Sequence, residues 1–424
     1  MSEGSEVVRA SRAAIEASVR IESPRVLGAL VRILRDVALA EDLAQEALIA
    51  ALETWPSTGI PERPGAWLVT TAKRRAIDEL RRRERLARAH DALWAELPRA
   101  TSIDPGLEEP VADDVLRLVL VSCHPVLAPE SRVALTLRLV AGLSTAEIAR
   151  AYLVPEPTLA QRIVRAKKTL SAARVPFEVP TGADLRARLG AVHEVLYLVF
   201  NEGYSASHGE RWTRPELCEE ALRLARVLAA HVPDDAETHG LSALLELQAS
   251  RLRTRHDAHG RPVLLADQDR ARWDRLLLER GLASLARAEA LARPSGPYTL
   301  QAGIAACHAR ARSIEQTDWP RIVALYDALV EHTGSPIVAL NRAVAVSRAE
   351  GPAAALELLD ALADEPALAR YPFLPAARAD VLARLGRAAE AARELDRAAA
   401  LTDNAREREI LLARAHALRD PSVS

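Results

Sequence analysis

Polar side chains recur at helical spacing near residue 160, and their types suit contacts with nucleic acid. In the stretch EPTLAQRIVRAKKTL, one helical face would carry Thr158, Gln161, Arg162, Arg165 and Lys168. The opposite face would carry the apolar residues Leu159, Ile163 and Leu170. Amide and guanidinium groups donate hydrogen bonds to base edges, and Arg and Lys neutralise phosphates. The pattern therefore indicates a helix that can enter the major groove of DNA.

A second predicted helix precedes this one and would position it. Ser144 followed by Glu147 makes a capping box, which starts a helix at this point. The inward face of that helix is predicted to hold Ile148, Ala149, Tyr152 and Leu153. Pro155 ends it, and Pro157 suits the first turn of the next helix. This order of helix, short turn and helix is typical of a helix-turn-helix motif. For this segment alone, the alternative is a plain helical hairpin with a solvated basic face.

The N-terminal part offers two further surfaces. On a helix from Leu39 to Trp55, Asp42, Gln45 and Glu46 form a compact acidic and amide face, which either meets a partner or is simply solvated. A Pro- and Gly-rich loop follows, and then a helix that is predicted to bury Trp67, Leu68 and Ile77 and to project arginines outward.

The loop and the basic helix after it suit an unpaired nucleic-acid strand. From Lys73 to Arg88 there are eight Lys and Arg against three Asp and Glu. The loop and basic helix would bind the phosphate backbone through charge. Because aromatic residues are few here, base stacking is not the main source of binding. The candidate residues are Arg63, Trp67, Lys73, Arg74, Arg75, Arg81 and Arg82.

The sequence pattern predicts an all-α fold for the whole chain. Its 424 residues contain 49% hydrophobic residues, enough for a sizeable core, and helical periodicity recurs while strand signals are nearly absent. The formal net charge is only −2, so the basic character is local. The lack of a long apolar run or a signal-peptide pattern predicts a cytoplasmic protein without membrane contact. Three widely spaced cysteines predict reduced core residues rather than disulfides, and neither a metal site nor a cofactor is expected.

Breaks in the pattern divide the chain. We expect domains over residues 1–98 and 112–175, a flexible acidic linker over 99–111, a helical extension over 183–316 and helical repeats over 317–424. Helical repeats are indicated because a sequence pattern recurs after about 35 residues, an internal echo in which Ala379 and Gly386 match Ala343 and Gly351. This spacing is typical of tetratricopeptide-like hairpins, although an ordinary Ala-rich bundle is the alternative.

The order of these pieces resembles the extracytoplasmic-function (ECF) sigma factors of bacterial RNA polymerase. The resemblance lies in AEDLAQEA (Ala40–Ala47), RPGAWLVTTAKRRAIDELRR (Arg63–Arg82) and the stretch Leu135–Leu170, and it covers about the first 175 residues. The remainder, with HEVLYLVFNEGYSAS from His193, looks like the long C-terminal extension of one ECF subgroup that ends in tetratricopeptide-like repeats.

The resemblance implies a role for each surface. Asp42, Gln45 and Glu46 would dock on the β′ clamp helices of core RNA polymerase, with the β flap as a further contact. The loop and basic helix would bind the −10 element of promoter DNA, and the face from Thr158 to Lys168 would read the −35 element. Pro157 and Ala160 stand where many family members carry other residues, so base preference is not implied.

The resemblance thus implies a non-enzymatic factor that directs transcription initiation and carries a regulatory extension. A regulatory contact is expected at Asn201, Glu202, Gly203 and Tyr204, and the repeats would bind a protein partner. A helix-turn-helix regulator with a repeat-built sensor, or a peptide-binding scaffold, are the alternatives.

Overall fold

The described part of the protein is helical throughout. The computed structural model describes residues 22–91, 111–151, 154–173, 175–204, 214–257, 263–402 and 405–419, and these ranges contain α-helices and short 3-10 helices but no β-strand. The predicted all-α class is confirmed. The chain divides into two compact units, one over residues 1–207 and 213–228 and the other over 208–212 and 229–424.

The first unit contains nine helices within the described ranges, the last of which runs three residues past its boundary. Their bounds are α1 (residues 22–34), α2 (Val37–Thr58), α3 (Pro64–Asp91), α4 (Val111–Ser122), α5 (Pro129–Leu139), α6 (Thr145–Ala151), α7 (Glu156–Ala172), α8 (Gly182–Tyr204) and α9 (Pro215–His231).

Helices α1 to α3 enclose an apolar core around Trp55. Asp36 caps α2 by accepting from the amides of Ala38 and Leu39. Trp55 is 1% exposed, and the edge of its ring meets Trp67 with centroids 5.5 Å apart. Leu68 is buried as predicted, but the prediction for Ile77 is wrong, because this side chain is 44% exposed.

Ile77 is exposed because α3 packs through a narrow stripe of small residues. Leu68, Ala72 and Ala76 are fully buried, at spacings of four residues that put them on one face of the helix. Ile77 follows Ala76 by one position, so its side chain is rotated by about 100° away from that stripe.

Helices α6 and α7 form the predicted helix-turn-helix. The Ser144 amide donates to Glu147 at 2.7 Å and the Glu147 amide donates to the Ser144 hydroxyl at 3.1 Å, so the capping box is present. Leu159, Ile163 and Leu170 are buried, as are Ile148 and Ala149. Tyr152 and Leu153 lie outside the described residues. Helix α7 begins at Glu156 with Pro157 in its first turn.

Helices α8 and α9 form a hairpin that meets at Gly203. A Cβ at this position would lie 2.8 Å from the Arg214 carbonyl oxygen and from the Cys218 amide nitrogen, so a larger residue does not fit. The Arg214 amide donates to the Gly203 carbonyl at 2.7 Å, and the Cys218 thiol donates to the Phe200 carbonyl at 3.5 Å. The two helices are therefore joined by backbone contacts as well as by apolar packing.

The second unit is a succession of helices, most of which pack against the next along the chain. Their bounds are α10 (Ala236–Ala249), α11 (Arg275–Leu291), α12 (Pro297–Arg310), α13 (Trp319–Thr333), α14 (Pro336–Ala349), α15 (Pro352–Ala361), α16 (Phe373–Arg384), α17 (Ala388–Leu401) and α18 (Ala405–Arg419).

Two features of the second unit follow from its sequence. Glu237 at the start of α10 accepts from the amides of Tyr298 and Thr299, which satisfies two free donors at the start of α12. Gly351 and Gly386, the matched glycines of the echo, both have positive φ, of 108° and 78°, at the turns between helices. The tetratricopeptide-like character of this part stays a prediction.

None of the described helices is long and apolar enough to cross a membrane. Cys123, Cys218 and Cys307 are buried and free, as the sequence predicts. Burial raises the pKa of Cys123 to about 12, which keeps this thiol protonated.

Candidate polymerase and DNA interfaces

The outward face of α7 is solvated as the sequence predicts. Among its polar residues Thr158, Gln161, Arg165 and Lys168 are exposed and Arg162 is half-buried. The second lysine of the helix, Lys167, points elsewhere and forms an ion pair with Glu41 of α2. Helix α7 therefore presents amide, hydroxyl and cationic donors on one side while a different cation ties it to the N-terminal helices.

The acidic face of α2 is also exposed. Asp42, Gln45 and Glu46 all lie at the surface, and Glu46 accepts from the Arg75 guanidinium of α3 at 2.5 Å. This ion pair joins the acidic face, which is predicted to bind the polymerase, to the basic helix, which is predicted to bind DNA. A change at Glu46 alters the acidic face and releases a cation of the basic helix at the same time.

A cleft lies beside the loop before α3. Its volume is about 640 Å³, within the range of sites that hold a small organic group. It is lined by Glu22, Arg25, Glu62, Arg63, Pro64, Gly65, Ala66, Val69, Thr70 and Arg223. Ten residues from α1, the loop, α3 and α9 thus surround one opening, and three of them are arginines.

The basic residues of α3 continue away from this cleft. Arg74, Arg81 and Arg82 are exposed, and Lys73 is half-buried. Arg82 donates to Glu79 at 2.8 Å, and this hydrogen bond raises the pKa of Arg82. Trp67 is half-buried against Trp55, so it contributes to the core of this part as well as to its surface.

The parts predicted to bind the two DNA elements touch each other. Glu41 of α2 forms an ion pair with Arg138 of α5, at 3.3 Å, in addition to its pair with Lys167 of α7. Arg32 of α1 lies 3.3 Å from the buried Asp114 of α4. We call the trio of Glu41, Arg138 and Lys167 the clasp. Sequence analysis did not predict it, because Glu41 is 126 residues from Lys167 in the chain and no local pattern distinguishes Glu41 from its neighbours.

The predicted regulatory contact at Asn201–Tyr204 lies next to the helix-turn-helix. Arg214, just before α9, lies 3.7 Å from Glu202 and donates to Glu147 at 2.6 Å. Gly203 is buried at the hairpin, and Tyr204 stacks on Phe200 with centroids 5.6 Å apart. Asn201 is half-buried. The contact therefore reaches the first helix of the helix-turn-helix through Arg214, a residue the sequence did not single out.

The contact with Arg214 contributes to a lowered pKa of Glu147. Partial burial alone raises its pKa, but the amide and hydroxyl of Ser144 and the Arg214 guanidinium outweigh that effect and lower the pKa to about 2. The carboxylate stays charged at neutral pH. It links the start of α6 to the extension.

The extension is further attached to α4. Arg188 of α8 is 8% exposed and donates to the carbonyl of Leu120 at 3.2 Å. Among the described residues there is no group of three or more His, Cys, Asp or Glu that could hold a metal ion.

Models of known families match three parts of the chain. Residues 19–86 match sigma-70 region 2 and residues 117–170 match sigma-70 region 4. Residues 188–289 match a family of unknown function, DUF6596. The first match includes α2 and most of α3, and the second includes α6 and most of α7; these helices carry the predicted polymerase and DNA faces.

Individual relatives are similar to this chain over different shares of its length. An uncharacterized protein of Rhizobium meliloti (strain 1021) is 47% identical over 387 residues, which is 91% of each chain. The ECF RNA polymerase sigma factor SigK of Mycobacterium sp. (strain KMS) is 32% identical over 29% of this chain and 64% of its own. The RNA polymerase sigma-H factor of Pseudomonas aeruginosa is 29% identical over 40% of this chain and 91% of its own. The chain therefore contains sigma-70 regions 2 and 4, is similar in part to ECF sigma factors of bacterial RNA polymerase, and carries a long C-terminal extension.

Proposed function

We propose that the protein binds core RNA polymerase and directs transcription from promoters that carry a defined −35 and −10 element. The observation that carries this proposal is that three faces of suitable chemistry, on α2, on α3 with its loop and on α7, are exposed in one chain in the order of regions 2 and 4. A sigma factor needs all three, because it must bind the polymerase, hold an unpaired strand and read a duplex.

Each face has a proposed partner. Asp42, Gln45 and Glu46 bind the β′ clamp helices, and region 4 meets the β flap. Arg63, Trp67, Lys73, Arg74, Arg75, Arg81 and Arg82 bind the −10 element. Thr158, Gln161, Arg162, Arg165 and Lys168 bind the −35 element. The donors at the start of α7 read base edges, and the later cations bind phosphates.

We also propose that the C-terminal extension regulates this activity. Arg188 and Arg214 attach its first two helices to region 4, and Arg214 acts on a carboxylate that caps α6. The contact at Asn201, Glu202, Gly203 and Tyr204 holds Arg214 in place. The helical repeats of the second unit would bind the protein partner whose arrival changes this contact.

Runoff transcription on a genomic promoter library with purified core polymerase tests the proposal. The intact protein should start transcripts at a defined −35 and −10 pair, and a variant with Ala at Asp42, Gln45 and Glu46 should lose core binding. Because Glu46 also holds Arg75, a second variant changes only Asp42 and Gln45. Glu53→Ala, an exposed glutamate on the same helix, is the matched control and should transcribe normally.

Two other outcomes would refute the sigma function. If no form of the protein binds core polymerase while Gln161→Ala and Arg165→Ala still weaken binding to duplex DNA, the chain is a helix-turn-helix regulator. If the protein binds neither polymerase nor DNA, the repeats define a scaffold instead.

A further inference from the structure

Helix α9 of the C-terminal extension reaches the cleft beside the loop before α3. Arg223 of α9 lines this opening together with Arg25 of α1 and Arg63 of the loop, and we call it the arginine cleft. We propose that Arg25 and Arg223 bind a phosphate of the unpaired −10 strand there, so that the extension itself forms part of the DNA-binding surface. The inference rests on the proposed function and adds a DNA contact from outside regions 2 and 4.

The two arginines lie between two openings. Arg25 and Arg223 line the arginine cleft and also a second cleft of about 240 Å³. Arg25 donates to Glu22, three residues before it on α1, at 3.3 Å, and Arg223 donates to Glu220, three residues before it on α9, at 2.6 Å. The two arginine side chains keep 39% and 27% of their surface exposed. Each guanidinium is therefore oriented by its own helix and remains accessible from the cleft.

The start of α3 forms another wall of the arginine cleft and already holds an anion. Helix α3 begins at Pro64, and the free amides of a first helical turn, together with the helix dipole, favour a negative charge. The Glu22 carboxylate lies at this end, since a Cβ at Gly65 would approach its carboxyl carbon to 2.6 Å. A position that holds a carboxylate of the chain is suited to a phosphate of a DNA strand.

The composition of the cleft favours an unpaired strand as its occupant. Its volume of about 640 Å³ suits a group of nucleotide size. Ala66 and Val69 supply apolar surface for a base or sugar, and the arginines supply charge for the backbone. The exposed cations Arg74 and Arg81 continue along α3 from this point, so the next phosphates of the same strand also meet positive charge.

Packing of the hairpin positions Arg223. Its neighbours in the chain, Leu222 and Leu224, are buried, so the place of the guanidinium is set by the fold of α9. The close approach at Gly203 fixes α9 to α8, and Arg214 ties the start of α9 to Glu147. The arginine is thus presented to the cleft by a supported helix.

Strand binding by the holoenzyme, measured by fluorescence anisotropy, tests the inference. The probe is the labelled non-template strand of the −10 region from a promoter selected by runoff transcription. One phosphate at a time is replaced by an uncharged methylphosphonate. Arg223→Ala and Arg223→Lys are compared with Arg186→Ala, which removes an exposed arginine of α8 that is not among the described residues lining the cleft.

We expect Arg223→Ala to weaken binding of the unmodified strand roughly two- to tenfold, as for a half-exposed charged contact, and Arg223→Lys to restore part of the loss. The slope of log K against log salt concentration should become less steep by about 0.7. At the phosphate that Arg223 binds, a methylphosphonate should weaken binding by the wild type but not by Arg223→Ala. Arg186→Ala should keep the wild-type profile.

Glu22→Gln should have the opposite effect on the strand. It removes the internal anion from the start of α3 and weakens the hold on Arg25, so the strand should bind more tightly. Glu53→Gln, on an exposed residue of α2, is the matched control and should leave the affinity unchanged. Weaker strand binding by Glu22→Gln would overturn the anion position at the start of α3.

A methylphosphonate profile that is the same for Arg223→Ala and the wild type would overturn the inference. Tighter strand binding by Arg223→Ala would also overturn it, because α9 would then compete with the strand. If the wild-type chain binds core polymerase in no condition, the proposed sigma function fails, and the profile is recorded with the full-length chain alone. A methylphosphonate effect that disappears in Arg223→Ala would then still support the inference, and a chain that binds no single strand would refute it.

Discussion

The ion pair between Glu147 and Arg214 gives a prediction with a defined pH dependence. In Glu147→Gln the amide oxygen can still accept from the Ser144 amide, so the capping box is kept in part, while the charge opposite Arg214 is lost. Glu156→Gln, an exposed acidic residue in the first turn of α7, is the matched control because it removes a charge from the same module without touching Arg214.

The size of the effect follows from the pKa. Folding lowers the pKa of Glu147 from an ordinary 4.5 to about 2, and each unit of pKa corresponds to about 1.4 kcal/mol before screening. The Glu147 side chain is 30% exposed, so solvent screening reduces the full value, and we expect about 1–2 kcal/mol. A lowered carboxyl pKa stabilises the folded state above the unfolded pKa. The stabilisation is therefore complete above pH 4.5 and is lost as the pH falls towards about 2.

Urea unfolding followed by circular dichroism, repeated from pH 7 to pH 3, measures this difference. At pH 7 the Glu147→Gln protein should lose about 1–2 kcal/mol, and its amides in α6 should exchange faster with deuterium, while the control changes by less than about 0.5 kcal/mol. The gap between wild type and Glu147→Gln should narrow below pH 4.5. A gap that keeps its full size down to pH 3, or that is absent at pH 7, would refute the assignment of this pair.

Two further changes test the packing of the first unit, and a third tests its proposed strand-binding face. Gly203→Ala should destabilise by roughly 1–3 kcal/mol in urea unfolding, because its Cβ meets backbone of α9, whereas Gly190→Ala on the same helix has open space and should be neutral or slightly stabilising. Trp55→Ala should cost about 3–5 kcal/mol in the same assay by leaving a cavity in region 2. Arg75→Ala should weaken the binding of single-stranded DNA by the holoenzyme, measured by fluorescence anisotropy. The slope of log K against log salt concentration should become less steep by about 0.7, because one phosphate contact is lost.

Local features of the fold were predictable because their causes are local. The Ser144–Glu147 box, the Pro155 stop and the buried stripe of α7 depend on residues within one or two turns, and each is present. The exposed faces of α2 and α7 follow from the same periodicity. Ile77 was mispredicted because the pattern shows which residues are apolar but not how wide a stripe the neighbouring helix covers.

The contacts that join the regions were not predictable from local pattern. Glu41 and Lys167 are 126 residues apart in sequence, and Glu147 and Arg214 are 67 apart. Each residue alone looks like an ordinary surface charge, and only the packing of separate helices makes it a partner. Gly28 is a similar case, since its small size matters only where α4 crosses α1.

Glu147 contacts both the helix-turn-helix and the first hairpin of the extension. Its carboxylate accepts from the amide of Ser144, just before α6, and at the same time from Arg214 at the base of the α8–α9 hairpin. A displacement of that hairpin therefore changes the charge balance at the start of α6, and α6 packs on α7. Because α7 carries the proposed −35 face on one side and the clasp lysine on the other, the contacts of the extension and of region 2 both reach the helix-turn-helix.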